Sequence, residues 1–281
     1  MPRQSQAVLI TGCSSGIGRA TAELMAAHDY CVYATARNAE SIADLQARGC
    51  RTLALDVTDE ESMRSAVAAV EEAEGAVGVL VNNAGYSQSG AVETLDLDDV
   101  RRQFETNVFG LIRMCQLVLP AMRDQRSGRI INVSSMGGKL VFPGGGAYHA
   151  TKYAVEAISD ALRFEVKGFG VDVVVIEPGL IKTRFAETAR DTMVASDAGG
   201  PYEEFNKAIA AATVEAYEGP LSRLGGGPDA VAKAIEKAVT AKRPHTRYPV
   251  TPSARLLLTQ RALLTDRMWD AVAGTQFPRP Q

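Results

Sequence analysis

The chain has 281 residues, 46% of them hydrophobic, enough for one large α/β domain with an ample core. Its net charge of -3 offers no basic field for nucleic acid. No stretch reaches the roughly 20 apolar residues of a membrane span, and the apolar run Ala7-Val8-Leu9-Ile10 is too short for a signal-peptide core, so a cytoplasmic protein is expected.

The pattern predicts a strand over Ala7–Thr11, a helix over Gly16–His28, a strand over Cys31–Ala36, a helix over Ala39–Ala47 and a strand over Thr52–Leu55. A helix over Glu60–Glu72 then precedes a strand over Val77–Val81. The apolar-periodic stretch from about Leu97 to Arg126 predicts one or two helices, with Pro120 as the candidate kink or break. Asn107, inside that stretch, is a residue type that perturbs a helix locally. A strand over Arg129–Val133, a helix over Tyr148–Lys167 and a strand over Val171–Ile176 follow. Short β-branched runs between helices predict a parallel sheet covered on both faces. Right-handed crossovers make it a doubly wound, Rossmann-like sheet in a single α/β domain spanning 1–281.

The alternation fades after Pro178-Gly179. Residues 184–228 are expected to form a helical insertion that serves as a substrate lid, with Gly199-Gly200-Pro201 and Gly225-Gly226-Gly227-Pro228 as breaks and a helix near Tyr202–Tyr217. Asp229–Thr240 predicts a helix and Tyr248-Pro249-Val250 an edge strand. A C-terminal extension, 251–281, carries helices over Ser253–Leu264 and Asp266–Ala273. Its apolar stripes, Leu256-Leu257-Leu258, Leu263-Leu264 and Met268-Trp269, are expected to dock on the domain or on a sister subunit; a membrane surface is the alternative.

Four cysteines, Cys13, Cys31, Cys50 and Cys115, show no Cys-x-x-Cys pair and read as free thiols. Cys13, in the glycine loop, is also a candidate oxidation-sensitive spot. Three histidines without metal-ligand spacing predict no catalytic metal.

Thr11-Gly12-Cys13-Ser14-Ser15-Gly16-Ile17-Gly18 joins an apolar strand to a helix. Glycines let the backbone turn tightly and approach a pyrophosphate, while the helix N-terminus offers free N–H groups and partial positive charge. Gly12, Ser14, Ser15, Gly16, Ile17 and Gly18 are therefore candidate cofactor contacts, although a plain strand–helix turn would use glycines too. Where an NAD site normally presents an acid to the ribose, the second strand ends Thr35-Ala36-Arg37. A guanidinium matches a 2′-phosphate, so NADP(H) is expected over NAD(H). Asp56, beside Val57, can accept from an adenine amino group or cap the helix beginning near Asp59. Asn82-Asn83-Ala84-Gly85 supplies small residues for backbone contact with a cofactor, or a simple turn.

Tyr148 and Lys152, four apart, share a helix face. Tyrosine titrates near ~10, and acting as a base near pH ~7 requires about 4 kcal/mol of relative stabilisation of the phenolate. Lys152 and an oxidised nicotinamide, both cationic, supply stabilisation of that sign. Ser135 lies at a strand's carboxyl end, where it can hold a substrate oxygen that develops negative charge; Ser134 reads as structural. Asn107 can hold a proton-relay water for Lys152 or simply be a satisfied buried amide.

Taken in order, Thr11-Gly12-x-x-x-Gly16-Ile17-Gly18, Asn82-Asn83-Ala84-Gly85, Asn107, Ser135, Tyr148-x-x-x-Lys152 and Pro178-Gly179 resemble the short-chain dehydrogenase/reductase family over about Ala7 to Thr183. The resemblance implies a sheet of about seven parallel strands and a catalytic group of Asn107, Ser135, Tyr148 and Lys152. It also implies cofactor contacts from Pro178, Gly179, Ile181 and Thr183, and a homodimer or homotetramer built through helices around Val108–Met122 and Tyr148–Lys167. The chain's length and Lys182-Thr183-Arg184-Phe185 resemble the branch of 17β-hydroxysteroid and retinol dehydrogenases.

The expected reaction is hydride transfer between a nicotinamide cofactor and a carbonyl or alcohol, with Tyr148 moving the proton. Tyr86, Phe142, Phe185 and the Met193–Tyr217 segment are candidate walls for a lipophilic steroid-, retinoid- or fatty-like substrate. Two other classes fit the same fold: a non-catalytic NADP(H)-sensing protein and an epimerase or dehydratase. Net NADPH consumption separates the first reading from both.

Overall fold

Seven short apolar runs that alternate with helices have one economical arrangement, a parallel sheet with a helical layer on each face. The computed structural model has that arrangement. It describes residues 5–183, 185–195 and 199–277, with the side chains of 185–187, 194, 195, 221 and 276 excepted. The elements run β1 (Val8–Ile10), α1 (Gly16–Ala27), β2 (Val32–Ala36), a 3₁₀ segment (Ala39–Arg48), β3 (Arg51–Ala54), α2 (Glu60–Glu74), β4 (Val79–Asn82) and α3 (Leu97–Phe104). A π-helical turn (Glu105–Phe109), α4 (Gly110–Asp124), β5 (Gly128–Val133), α5 (Gly146–Val166) and β6 (Val171–Pro178) follow. The remainder is α6 (Phe185–Ala195), α7 (Glu203–Glu218), α8 (Pro228–Thr240), β7 (Arg247–Val250), α9 (Pro252–Leu263) and α10 (Asp266–Gln276).

The strands lie in the order β3-β2-β1-β4-β5-β6-β7, all parallel. Alternate residues of each central strand enter opposite cores. Val8 and Ile10 of β1, Val79 and Val81 of β4, and Val174 and Ile176 of β6 pack with Ala22 and Met25 of α1 and Val231 and Ile235 of α8. Leu9, Leu80, Val171 and Val173 point the other way, onto Met63 and Val67 of α2, Met114 and Val118 of α4, and Val155 of α5. Both faces being buried, the strands read as unbroken apolar runs.

The long helical stretch is interrupted at Asn107, within the π-helical turn, while Pro120 sits inside α4. The expected break at Pro120 is therefore absent, and the local perturbation expected of Asn107 is present. A π turn inserts one residue into the helical repeat and re-aims the side chain it carries. Helix α6 is an addition to the expected elements.

Residues 185–228 leave the sheet and return to it at one neck. Ile181 and Gly226 form an isolated parallel bridge, Gly226 N–H donates to the Leu180 carbonyl at 2.9 Å, and Lys182 N–H donates to the Gly226 carbonyl at 2.9 Å. At the sheet edge, Arg247 of β7 pairs with Glu156 and Asp160 of α5 and with Glu177 of β6, and Lys139 also pairs with Glu177.

The C-terminal helices dock on the domain, as expected. Leu257, Leu258, Leu264 and Trp269 pack on Met136, Leu140 and Leu180, and the indole Nε1 donates to the Val141 carbonyl at 3.2 Å. Leu256, Leu263, Met268 and Val272 remain exposed on their outer face. Among the described residues no helix is long and apolar enough to cross a membrane.

Candidate active site

The strand order reverses between β1 and β4, the place where doubly wound sheets gather ligands beyond their strand carboxyl ends. A cavity of about 830 Å³ lies there. Gly12, Ser14, Ser15, Gly16 and Ile17 form one end of it. Gly12 (φ +75°) and Gly16 (φ +61°) adopt left-handed backbone conformations. A Cβ on Gly12 would lie 3.0 Å from the Ala84 Cα, so only glycine lets the loop lie this close to the segment after β4. That contact is stitched by Thr11 Oγ1, which accepts from the N–H groups of Asn83 and Ala84 at 3.0 Å each. Asn83 Nδ2 donates to the carbonyls of Thr11 and Gly12 at 2.9 and 3.1 Å.

Gly18 does not border the cavity. It acts from behind the loop: a Cβ there would sit 2.4 Å from the Gly12 carbonyl oxygen and 2.5 Å from Asn83 Nδ2. Its smallness sets how closely α1 packs on the loop.

Helix α1 starts at Ser15 with no side-chain cap and no acid in its first turn. By contrast Asp59 caps α2, whose first turn contains Glu60 and Glu61. The uncapped N–H groups of α1, at the floor of a glycine cradle, fit the pyrophosphate of a dinucleotide.

Arg37, Asp56 and Val57 border the same cavity from the ends of β2 and β3. Arg37 is exposed. Asp56 accepts from Thr58 N–H at 2.9 Å and Thr58 Oγ1 at 2.8 Å, and the cap of α2 is Asp59 instead. Asn83, Ala84 and Gly85 form the floor after β4, and Pro178, Gly179, Ile181 and Thr183 the wall after β6.

Ser135, Tyr148 and Lys152 border the other end. Ser135 Oγ accepts from Gly137 N–H at 3.0 Å. Lys152 Nζ donates to the Val133 carbonyl at 2.9 Å and stands 5.9 Å from the centre of the Tyr148 ring. Burial pushes the Tyr148 phenol well above its ordinary range, against the hydrogen bond with Ser135, which lowers it. Burial brings the Lys152 ammonium down to about 8, and the Glu156 charge opposes that.

Asn107 is buried and does not border the cavity. Its Nδ2 donates to the Tyr86 carbonyl at 2.9 Å and to Thr151 Oγ1 at 3.1 Å, and its Oδ1 accepts from Tyr86 N–H at 3.1 Å. The amide thus ties the segment after β4 to α5, one residue before Lys152.

Tyr86 borders the cavity, whereas Phe142 does not. The Phe142 ring packs against His149, Trp269 and Phe277. The side chain of Phe185 lies outside the described residues. Cys13 is fully buried, and burial raises its thiol to about 12, so the oxidation-sensitive reading does not hold.

Of the Met193–Tyr217 segment expected as a wall, Tyr217 borders the cavity; two further residues, Thr188 and His149, escape sequence reasoning. Thr188 of α6 and Tyr217 of α7 reach the cavity from the insertion. His149, buried beside Tyr148, donates from Nδ1 to the Gly137 carbonyl at 2.9 Å and accepts at Nε2 from Phe142 N–H at 3.1 Å. Acceptance at Nε2 requires the neutral ring, and burial holds its pKa below the ordinary histidine value, against the Gly137 bond, which raises it. His149 thereby clamps the loop between Ser135 and Tyr148. Its neighbour in sequence is the signal that pointed there; no periodicity marked it.

Residues 6–194 match the family model described as short chain dehydrogenase. The chain is 37% identical over 269 residues to 3-ketodihydrosphingosine reductase of Bacteroides thetaiotaomicron, covering 94% of this chain and 95% of that one. It is 33% identical over 273 residues to NADPH-dependent 3-dehydrocapnine reductase of Ornithobacterium rhinotracheale, covering 94% of each. Among solved structures, a short-chain dehydrogenase from Streptomyces avermitilis superposes with a TM-score of 0.75 at 34% identity, over 97% of this chain and 98% of that one. A glycine cradle at the switch point of a parallel sheet, with these likenesses along nearly the whole length, makes the chain a member of the short-chain dehydrogenase/reductase family, an oxidoreductase of CH–OH groups that works with a nicotinamide cofactor.

Proposed function

We propose that the protein is an NADP(H)-dependent reductase of long-chain lipophilic ketones. The observation that carries this reading is one cavity bordered at one end by Arg37 and the glycine loop and at the other by Ser135, Tyr148 and Lys152. The bound cofactor would supply the hydride. Arg37, with no acid beside it at the end of β2, suits a 2′-phosphate. The first turn of α1 would hold the pyrophosphate, Asp56 and Val57 the adenine side, and the segments Asn83–Gly85 and Pro178–Thr183 the nicotinamide end.

Ser135 would hold the carbonyl oxygen, and Tyr148 would give it a proton as negative charge develops there. A phenol whose pKa is raised by burial keeps its proton at neutral pH, as a donor must. Lys152, brought down to about 8, titrates near enough to neutrality to return a proton to Tyr148. Asn107 would orient this group through Tyr86 and Thr151. Alcohol oxidation runs the same steps in reverse.

The substrate class rests on the relative named for 3-ketodihydrosphingosine, a ketone on a long alkyl chain, and on Tyr86 and Tyr217, the expected walls that border the cavity. Residues 185–228 serve as the lid: they bring Thr188 and Tyr217 to the cavity and are joined at a single neck. Assembly into a homodimer or homotetramer through α4 and α5 fits Phe109, at the end of the π-helical turn that leads into α4, and Phe164 of α5, which are 52% and 86% exposed.

The test is NADPH consumption with a panel of long-chain, steroid, retinoid and small aromatic ketones, with Tyr148→Phe as the blank. Turnover of the long-chain ketones that vanishes in the variant is expected. Tight NADPH binding without turnover of any of them would overturn the reading in favour of a sensor.

A further inference from the structure

Tyr217 is the penultimate residue of α7 and borders the same cavity as Ser135 and Tyr148. One side of its ring is anchored on the apolar cluster of Met136, Leu140, Leu180 and Trp269. Its position is therefore fixed by packing against the domain, although it comes from the insertion. The hydroxyl has no hydrogen-bond partner among the described residues. Tyr217 is half-buried and borders the cavity, so its hydroxyl is not sealed in the core and can pair with what occupies that space. Burial raises Tyr217 to about 12, so it stays a neutral hydroxyl able both to donate and to accept. It also lies close enough to Tyr148 for charge on one phenol to raise the other.

From this placement we infer that Tyr217 is a specificity-determining residue: its hydroxyl binds a second polar group, a hydroxyl or amine, carried by the substrate beside the reacting carbonyl. The inference rests on the proposed reductase reading. Its chemistry is that of a two-point grip. Ser135 and Tyr148 take the carbonyl oxygen, and Tyr217 takes the neighbouring group from the lid side. A ketone without that group leaves the Tyr217 hydroxyl unpaired in the closed site, which is the stronger form of discrimination available to a pocket.

The experiment uses two ketones of equal chain length, one with a hydroxyl on the carbon next to the carbonyl and one without. The quantity read is the ratio of their kcat/KM values under NADPH, for wild type and for Tyr217→Phe. Phenylalanine keeps the ring that packs on Leu180 and Trp269, and a ratio cancels any shared loss of folded enzyme. Wild type is expected to prefer the hydroxyketone, and the variant to lower that preference about tenfold. A wild type without preference, or the same ratio in both proteins, would overturn the inference while leaving the reductase reading in place. Failure of wild type to consume NADPH with either ketone would overturn the reductase reading, and this inference with it.

Discussion

The two ends of the cavity are built by different means. At the loop end the backbone decides: Gly12 and Gly16 take left-handed conformations, Gly18 admits the Gly12 carbonyl, and uncapped N–H groups of α1 face the cavity. At the lid end side chains decide: Tyr217, Thr188 and the His149 clamp arrive from segments far apart in the chain. An end made of backbone suits a ligand portion that is the same in every turnover, whereas side chains can be exchanged one at a time to fit a new substrate. Tyr148, Ser135 and Lys152 stand where the two meet.

The largest effect belongs to that meeting point. Tyr148→Phe removes the proposed proton donor and is expected to lower kcat about 10³-fold while leaving NADPH affinity, measured by fluorescence titration, close to that of wild type. A comparable loss of affinity would mean that the two ends are not separable.

Arg37→Asp acts on the loop end alone. It removes the contact proposed for a 2′-phosphate and adds an acid suited to a ribose hydroxyl, so the proposed preference for NADPH over NADH should fall about 100-fold. The ranking of ketones should stay in order; a reshuffled ranking would show that the lid end senses the adenosine half.

Gly18→Ala tests whether backbone packing builds the loop end. Alanine usually favours a helix over glycine by about 1 kcal/mol, but here its Cβ would lie 2.4 Å from the Gly12 carbonyl oxygen. Expected are a stability loss of about 1–3 kcal/mol by chemical denaturation and NADPH binding weakened about tenfold. A stabilised variant with unchanged binding would show that the loop yields easily.

The smallest effect is titration of His149. Its folded pKa lies below the unfolded value of 6.5. The unfolded chain therefore takes up this proton first, and the contribution of His149 to stability, present above about 6.5, is lost as pH falls. The melting temperature should decline more steeply from pH 7 to pH 5 in wild type than in His149→Gln, which has no ring to titrate. Parallel curves would remove His149 from the account of acid sensitivity.

Local chemistry made most of the loop end legible. The glycine spacing, Arg37 at the end of β2 and Asn83-Ala84-Gly85 after β4 are short-range patterns, and each borders the cavity as expected. Gly18 was read as a contact because sequence spacing does not distinguish a glycine under a ligand from one behind the loop. At the lid end, aromatic character drew attention to Phe142, whose ring packs with Trp269 and Phe277, residues more than 100 positions downstream. The Met193–Tyr217 segment was expected as a wall, but that Tyr217 is the residue of it that reaches the cavity depends on which way α7 faces. Pro120 drew the expected helix break, yet the irregular turn formed at Asn107, where the amide bonds Tyr86 and Thr151 from other segments.

By itself the sequence determined the order of strands and helices, the glycine loop between β1 and α1 and the shared helix face of Tyr148 and Lys152, because strand periodicity, glycine conformation and i,i+4 spacing are properties of neighbouring residues; Ser135 joined that pair through its place at a strand end and through the family resemblance. The tertiary structure alone decided which side chains face the substrate end, which glycine supports rather than touches, and that Cys13 is sealed in the core. Those depend on contacts between distant segments, and burial, which sets pKa values and leaves hydroxyls paired or unpaired, exists only once the segments are packed.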